Sequence, residues 1–496
     1  MPGVGRRRFC AGWGVAALAL GCPSWRSGET SASGLLIRGA QVYAEGRLQE
    51  LDVRTAGGVI VELSRGLAPR RGEQVVDAAG LLALPGGIDP HVHLSPSAEP
   101  PQDEDDYCDN YTHGSRAALA GGVTTIGVMV FPEGGVGAGI LPSVERHGRS
   151  VAAQSMVDVM FHPVSFTADP GSFAALEPLV RRGHTSLKIF EVVENYERDE
   201  EAFAELIRLA GAQKMLTLLH CERHSINRRE IERLMAAGKG GLRHYAESSP
   251  VRSEVEAIRA AIKMSERTGS PIYAVHLSSA AALAECTEAR RRGGRIYVET
   301  RPMYLYHTRS VYERADGPLF IGQPPLREEA DIAALWDGLE RGLIDTIGSD
   351  HAPFTAAVKL DSSATIERYS AGTPGLQMML PMLYSEGVGT GRLSLDRFVA
   401  LTSTNAARLF GLYPRKGVLR AGSDADMSLW DPNLRQTIRP AMLRSQAGYD
   451  INEGREVQGW PVTVIRRGEV VFRDDHVVAA PGSGALLARG PHVPLT

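Results

Sequence analysis

Two histidines separated by one residue give the first sign of metal chemistry in this sequence. His91 and His93 follow an apolar run, and in an extended segment residues two apart point to the same side. Both imidazoles can therefore reach one ion. Further residues of ligand or base type lie in or at the ends of later apolar runs: Lys188, His220, His276 and Asp350. Imidazole and oxygen ligands suit divalent metals, so the set predicts a metal-dependent active site.

Parallel strands would bring these distant residues together. Short apolar runs alternate with helical stretches such as 200–212 and 254–268, a pattern typical of βα units. Eight strands are predicted, at Leu81–Ile88, Val123–Val130, Val157–Phe161, Ser186–Phe190, Met215–Leu219, Ile272–Val275, Arg295–Val298 and Thr346–Gly348. They predict a (β/α)8 TIM barrel of the α/β class over residues 85–410, with the six residues at its catalytic mouth.

The segments that flank the barrel have a different character. Residues 35–84 and 411–478 contain short β-type runs broken by glycine. We expect them to form one small β-sandwich built from both chain ends. Residues 479–496 would follow as a C-terminal tail.

Composition excludes several classes of protein. The 496 residues are 43% hydrophobic and 23% charged, close to the globular average, which excludes wholesale disorder and coiled-coil classes. The formal net charge of -4 gives no electrostatic case for nucleic-acid binding. The five cysteines are no disulfide framework, and the three beyond the N-terminal leader, Cys108, Cys221 and Cys286, are predicted to be free thiols.

The first 34 residues have the pattern of an export signal and linker. Arg6, Arg7 and Arg8 precede the apolar stretch from Trp13 to Gly21, as in a twin-arginine signal. The residues before Cys22 resemble an imperfect lipoprotein processing site, so a lipid anchor at Cys22 is the one membrane link that we expect. A cleaved signal with an incidental Cys22 and a disordered cytoplasmic extension are the alternatives. The expected location is periplasmic or lipid-anchored, with the cytoplasm as the alternative.

An ordered set of motifs resembles the amidohydrolase superfamily, in particular cyclic amidohydrolases of the dihydropyrimidinase and hydantoinase type. The motifs are LPGGIDPHVH at 84–93, SLKIF at 186–190, LHCE at 219–222, VHLSS at 275–279, VETRP at 298–302, PPLR at 324–327 and GSDHAPF at 348–354. NAARLFGL at 405–412 and GSDAD at 422–426 match the family's exit from its barrel. The resemblance extends over about residues 36–478.

This resemblance implies a binuclear metal centre. His91, His93 and Asp350 would hold one ion, and His220 and His276 the other. Lys188, carboxylated by CO2, would bridge both ions; a barrel-interior lysine paired with an acid is the alternative. Zinc is the expected metal, with manganese or cobalt as alternatives. Asp350 would act as general base and then general acid in opening a cyclic amide to an N-carbamoyl amino acid.

The residues that would face the substrate differ from this branch of the family. The branch has a tyrosine five residues after the bridging lysine, where this chain has Val193; Tyr196 is nearby but would need a shifted loop. Gln323 replaces the serine before PPLR, and Ala371 replaces an asparagine after the eighth strand. The family uses mostly backbone groups at these last two positions. Tyr196, Gln323 and Ala371 are therefore the substrate-binding candidates.

Two alternatives to a dihydropyrimidinase or hydantoinase stay open. No arginine closely follows the His91–His93 pair, which disfavours dihydroorotases and allantoinases. An enzyme for another cyclic ureide or imide, allantoin-like or dihydroorotate-like, remains an alternative. So does a non-catalytic scaffold, although the six intact ligand positions argue against it. The resemblance also implies a homo-oligomer, by analogy a tetramer.

Overall fold

The computed structural model describes residues 34–99 and 107–495. The predicted export signal, with the lipidation candidate Cys22, therefore lies outside the described residues. Among the helices that are described, none is long and apolar enough to cross a membrane. Within the described residues Cys108, Cys221 and Cys286 are buried and form no disulfide, as predicted for free thiols.

The strands, in chain order, are β1 Leu35–Ala44, β2 Arg47–Ala56, β3 Val59–Ser64, β4 Gln74–Asp77, β5 Leu82–Pro85, β6 Gly87–Val92, β7 Val123–Val130, β8 Asp158–Ser165, β9 Ser186–Phe190, β10 Leu216–His220, β11 Ile272–Ala274, β12 Ile296–Thr300, β13 Thr346–Ile347, β14 Met427–Thr437, β15 Glu456–Arg466, β16 Glu469–Arg473 and β17 His476–Val477.

The α-helices are α1 Tyr111–Ala120, α2 Ile140–Gln154, α3 Pro170–Arg181, α4 Glu194–Arg198, α5 Glu200–Ala212, α6 His224–Ala236, α7 Tyr245–Ser248, α8 Val251–Thr268, α9 Ala280–Arg291, α10 Met303–Tyr306, α11 Glu329–Arg341, α12 Ala356–Lys359, α13 Met379–Leu383, α14 Leu395–Val399 and α15 Asn405–Leu409. Two π-helical turns, Tyr384–Val388 and Ala400–Thr404, continue α13 and join α14 to α15.

The eight strands from β6 to β13 form the predicted barrel. Each pairs in parallel with the next along the chain. Every residue of β7 and β8 is buried, as expected for strands covered by helices on one face and barrel interior on the other. A parallel bridge joins Val92, the last residue of β6, to His351, which follows β13. This bridge between the first and last barrel strands nearly closes the barrel.

The predicted first barrel strand, Leu81–Ile88, is wrong, because that apolar run belongs to two strands in two sheets. Leu82–Pro85 (β5) pairs with β1 and β14, whereas the barrel starts at Gly87. The chain changes partners at Gly86, where an added Cβ would lie 2.3 Å from the Thr124 hydroxyl oxygen. The change falls at Pro85, Gly86 and Gly87, a turn signal that the predicted strand ran through.

Both chain ends meet in one mixed sheet of nine strands. Its order is β17-β16-β15-β14-β5-β1-β2-β3, with β4 on β1, so the antiparallel β5–β14 pair joins the two ends. Residues before β14 also hydrogen-bond to the β3 side, through Ile60 N–H to Ser423 O and Ala425 N–H to Gly58 O. The sheet thus encloses its own apolar core, and the β domain predicted from both chain ends is confirmed.

A buried ion cluster joins the barrel to this domain. Lys416 Nζ lies 2.8 Å from Asp158 Oδ2 at the start of β8 and also pairs with Asp426. The three acids of this cluster, Asp158, Asp424 and Asp426, lie close enough to hold a cation. The Lys416 ammonium already supplies that positive charge, so the cluster is explained as a buried salt bridge.

Candidate metal centre

The six predicted ligands are all buried, and each comes from the C-terminal end of a barrel strand. His91 lies in β6 and His93 follows it, Lys188 lies in β9, and His220 ends β10. His276 and Asp350 come two and three residues after β11 and β13. Their exposed fractions do not exceed 8%. The fold therefore brings together residues that are up to 259 positions apart in the chain (91 and 350).

The imidazoles and Asp350 surround a common point. Asp350 Oδ1 lies 2.9 Å from His93 Nε2 and 3.2 Å from His91 Nε2. The His276 ring centroid is 5.4 Å from that of His91 and 4.4 Å from that of His220. Potential ligand atoms of His91, His276 and Asp350 lie within 4.8 Å of one another. This group is a candidate metal-binding site.

Two of these residues have strained backbones. His276 has a φ of 39° and Asp350 a φ of 46°, the left-handed region that non-glycine residues rarely adopt. The surroundings hold the first of them in place, since the His276 N–H donates to Glu299 Oε1 at 3.0 Å. Such strain costs on the order of 1–3 kcal/mol and is concentrated at functional sites.

Two buried carboxylates orient the histidines from behind. His91 Nδ1 lies 2.8 Å from Glu299 Oε1, and His220 Nε2 lies 2.6 Å from Glu222 Oε2. These contacts leave Nε2 of His91, which faces Asp350, and Nδ1 of His220 as the ring nitrogens available to a metal ion, the arrangement by which proteins fix metal-binding imidazoles. Neither glutamate is among the residues predicted from the sequence, although Glu222 has the same two-residue spacing from His220 that marks the His91 and His93 pair.

Burial sets the charge of these groups. It lowers the pKa of His93 to about 4, despite the opposing effect of Asp350, and it lowers the pKa of His220 as well. The neutral imidazole that results is the form that binds metals. Burial also lowers the pKa of Lys188 to about 8, against the effect of Asp350 and Glu299, and Lys188 Nζ has no hydrogen-bond partner among the described residues.

His351 connects Asp350 to the rest of the mouth. Its backbone oxygen accepts from His93 N–H at 2.7 Å, and its Nε2 lies 3.0 Å from Asp109 Oδ2. The Gly375 N–H donates to the other ring nitrogen at 3.2 Å. His351 is therefore a packing and orienting residue that lies behind the ligands.

The substrate-binding candidates separate into two groups. Gln323 and Ala371 are half-buried on neighbouring loops, joined by a hydrogen bond from Gly372 N–H to Ile321 O of 3.0 Å. Tyr196, by contrast, is fully buried, and its ring packs on Phe203 at 5.0 Å between centroids. The structure thus brings Gln323 and Ala371 together but leaves Tyr196 in the helix layer.

The sequence profile of the Amidohydrolase family matches residues 82–471, which include the barrel and the strands β5, β14 and β15 of the β domain. The chain belongs to the amidohydrolase family. Its match thus contains all six residues of the candidate metal centre together with the strands that carry them.

Similar proteins cover almost the whole of this amidohydrolase. The D-phenylhydantoinase of Escherichia coli O1:K1 is 34% identical over 464 residues, 93% of this chain and 99% of that protein. The crystal structure of dihydropyrimidinase from Brevibacillus agri NCHU1002 has a TM-score of 0.87 and 31% identity, covering 93% of this chain and 100% of that one. The D-hydantoinase (dihydropyrimidinase) from Thermus sp. has the same TM-score and 33% identity, covering 92% and 99%.

One residue at the mouth of this amidohydrolase is not among those predicted from the sequence. Arg301 follows β12, is 1% exposed, and places Nη1 2.9 Å from Asp350 Oδ2. Burial alone would raise the pKa of the Asp350 carboxyl. The neighbouring Arg301, His91 and His93 outweigh this effect and hold that pKa well below its usual range. The carboxylate at the centre of the site is therefore ionised.

Proposed function

We propose that this amidohydrolase opens a cyclic amide of the dihydropyrimidine or hydantoin type, giving an N-carbamoyl amino acid. The observation that carries the proposal is the convergence of four histidines, Lys188 and Asp350 at the C-terminal mouth of the barrel. The similarity to proteins named D-phenylhydantoinase and dihydropyrimidinase over nearly the whole chain supports it.

The donor set fits two divalent ions, for which we propose zinc. His91, His93 and Asp350 would hold one ion, and His220 and His276 the other. Lys188, carboxylated on Nζ, would lie between them. Its burial and lowered pKa suit this role, because only the neutral amine can react with CO2, and within the part of the chain that the structure describes no hydrogen bond engages Nζ. When bound, the ions would activate a water molecule and polarise the scissile carbonyl.

Asp350 moves the proton in this proposal. Its ionised carboxylate accepts a proton from the attacking water, whose oxygen bonds to the ring carbonyl carbon. As the ring C–N bond breaks, Asp350 returns that proton to the leaving nitrogen. Glu299 and Glu222 keep His91 and His220 in fixed orientations throughout, so little reorganisation is needed.

The substrate would bind between loops of the mouth. Backbone groups around Gln323 and Ala371 are proposed to bind the ring, since their loops are adjacent and half-buried. At the position of the family's tyrosine, Val193 offers no hydroxyl to the developing oxyanion, and we propose that Tyr196, whose ring packs on Phe203, does not replace it. We therefore expect slower hydantoin turnover than a tyrosine at this position would give.

A substrate panel tests the proposal. The full chain is loaded with zinc and bicarbonate and offered dihydrouracil, substituted hydantoins, allantoin, dihydroorotate and cyclic imides. Ring opening of dihydrouracil or a hydantoin supports the assignment, and preference for another member of the panel redirects it within the cyclic amides. A chain that binds two metal ions but opens no ring would contradict the proposed function and favour a scaffold.

A further inference from the structure

Arg301 and Asp350 form a buried ion pair inside the candidate site. Arg301 Nη1 lies 2.9 Å from Asp350 Oδ2, while the other carboxylate oxygen, Oδ1, faces His91 and His93. The two oxygens of Asp350 thus have different neighbours. A carboxylate otherwise rotates through a broad, nearly two-fold range, so this partner fixes the orientation in which one oxygen meets the histidines.

The position of Arg301 follows from strand geometry. Glu299, in β12, points into the barrel, where it contacts His91. Residues two apart in an extended segment share a side, so Arg301 also points inward, one layer nearer the mouth. That layer is the one in which Asp350 lies.

The guanidinium is held from several directions. Its Nη2 donates to Thr373 Oγ1 at 3.0 Å, and it lies over the Tyr304 ring at 5.6 Å. An added Cβ on Gly322 would approach Nη1 to 2.8 Å, so glycine leaves the room that the guanidinium fills. Gly322 and Thr373 flank Gln323 and Ala371 closely in the chain, so Arg301 links Asp350 to both proposed substrate loops.

We propose that Arg301 is a positioning residue for Asp350. By holding Oδ2, it restricts Asp350 to one oxygen, Oδ1, on the metal side of the site. It also keeps the Asp350 carboxylate at a fixed position relative to the loops that carry Gln323 and Ala371. The inference rests on the proposed function for its kinetic consequence, but its structural consequence concerns only how Asp350 meets a bound ion.

The test compares Arg301→Gln and Arg301→Lys with a matched control, Arg466→Gln. Arg466 is equally buried and donates to the Met156 carbonyl, at the boundary between barrel and β domain. Arg301→Gln should lower kcat about 10- to 100-fold with KM unchanged, and Arg301→Lys should recover part of the loss. Arg466→Gln should reduce thermal stability and leave kcat unchanged.

Cobalt substitution gives a readout that needs no turnover. With Oδ2 released in Arg301→Gln, Asp350 can chelate through both oxygens, which raises the coordination number of the ion. The visible absorption of the Co²⁺-loaded full chain should therefore weaken in Arg301→Gln and stay unchanged in Arg466→Gln. Wild-type absorption and wild-type kcat in Arg301→Gln would overturn the proposal, as would equal changes in the control.

Gly322→Ala provides a second route if Arg301→Gln does not fold. It displaces the guanidinium without removing its charge, and it should change the Co²⁺ spectrum and kcat in the same direction, by less. A wild-type spectrum in Gly322→Ala and Arg301→Lys together would also refute the positioning role. If the wild-type chain opens no ring in the panel, the proposed function fails, and the cobalt spectra still decide the role of Arg301.

Discussion

Replacing Glu299 should weaken the metal centre even though Glu299 is not one of the proposed ligands. Its carboxylate accepts three hydrogen bonds: from His91 Nδ1 at 2.8 Å, from the His276 N–H at 3.0 Å and from the Tyr273 hydroxyl at 2.7 Å. All these groups are buried. Glu299 therefore fixes one ligand ring, the backbone of a second ligand and the neighbouring strand β11.

The size of the effect depends on which donors stay paired. In Glu299→Gln, the amide oxygen can still accept from His91 and His276. The amide N–H can meet the Tyr273 oxygen, because that hydroxyl can donate to Thr346 Oγ1, 2.7 Å away. The hydrogen bonds lose only the contribution of the negative charge on Glu299, about 1–2 kcal/mol in total across the site. Glu299→Leu instead leaves two buried donors, His91 Nδ1 and the His276 N–H, unpaired at about 1–3 kcal/mol each, which destabilises the fold as well as the site.

Glu299→Gln is therefore the informative variant. We expect it to fold, with a modestly lower melting temperature, and to bind zinc and turn over substrate about 10- to 100-fold less well than the wild type. Zinc retention after dialysis against a graded chelator, and kcat in zinc-saturated buffer, measure the two effects. Tyr273→Phe, which removes one of the three bonds, should give an intermediate result. Wild-type zinc retention and kcat in Glu299→Gln would refute the idea that this carboxylate orients the ligands.

Three further outcomes are expected. Lys188→Ala should lose activity and regain it with added short carboxylic acids; activity without them would exclude a bridging carbamate. Burial lowers the pKa of His147 to about 3 and of His184 and His307 to about 4, so these residues bind protons more readily when unfolded. The free energy of unfolding should therefore fall as pH decreases from about 6.5 to about 4, and an unchanged denaturant midpoint over that range would contradict this. Residues 1–34 fused to a reporter should direct its export, and retention in the cytoplasm would count against the predicted signal.

The sequence identifies residues whose placement follows a simple geometric rule. A polar residue that ends an apolar run in a βα repeat reaches the mouth of a barrel, which is why His91, His220 and His276 could be found without a structure. Lys188 fits the same rule as an inward residue of β9. The barrel itself follows from the alternation of strand and helix. The division between β5 and β6 does not follow from that alternation, since it falls at Pro85, Gly86 and Gly87, a turn signal inside one predicted strand.

Residues that act through a partner far along the chain could not be found in this way. Glu299 contacts His91 across 208 positions, and Arg301 reaches Asp350 only because β12 and β13 are neighbours. Charged residues in a strand pattern usually indicate a solvated edge. Here Glu299 and Arg301 are each buried against a specific partner of opposite charge or polarity. Barrel closure brings these partners close, and no local sequence pattern indicates it.

Changes near the metal ligands and changes in the substrate loops should therefore have different effects on the reaction rate. Lys359 donates to the carbonyls of Ile321, Ser370 and Gly372 at 2.6–2.9 Å, which fixes the loops of Gln323 and Ala371. Because backbone groups of these loops would hold the substrate ring, the changed side chains at Gln323 and Ala371 should leave substrate binding nearly intact.

The missing hydroxyl at Val193 has no such replacement, so its absence should reduce kcat and not raise KM. Oxyanion donors contribute about 10²–10³-fold to kcat, so Val193→Tyr should raise kcat toward hydantoins by up to about 100-fold at constant KM. Val193→Phe, of similar size without the hydroxyl, is the matched control. An equal gain in both variants, or a change confined to KM, would show that the tyrosine position does not limit the chemical step.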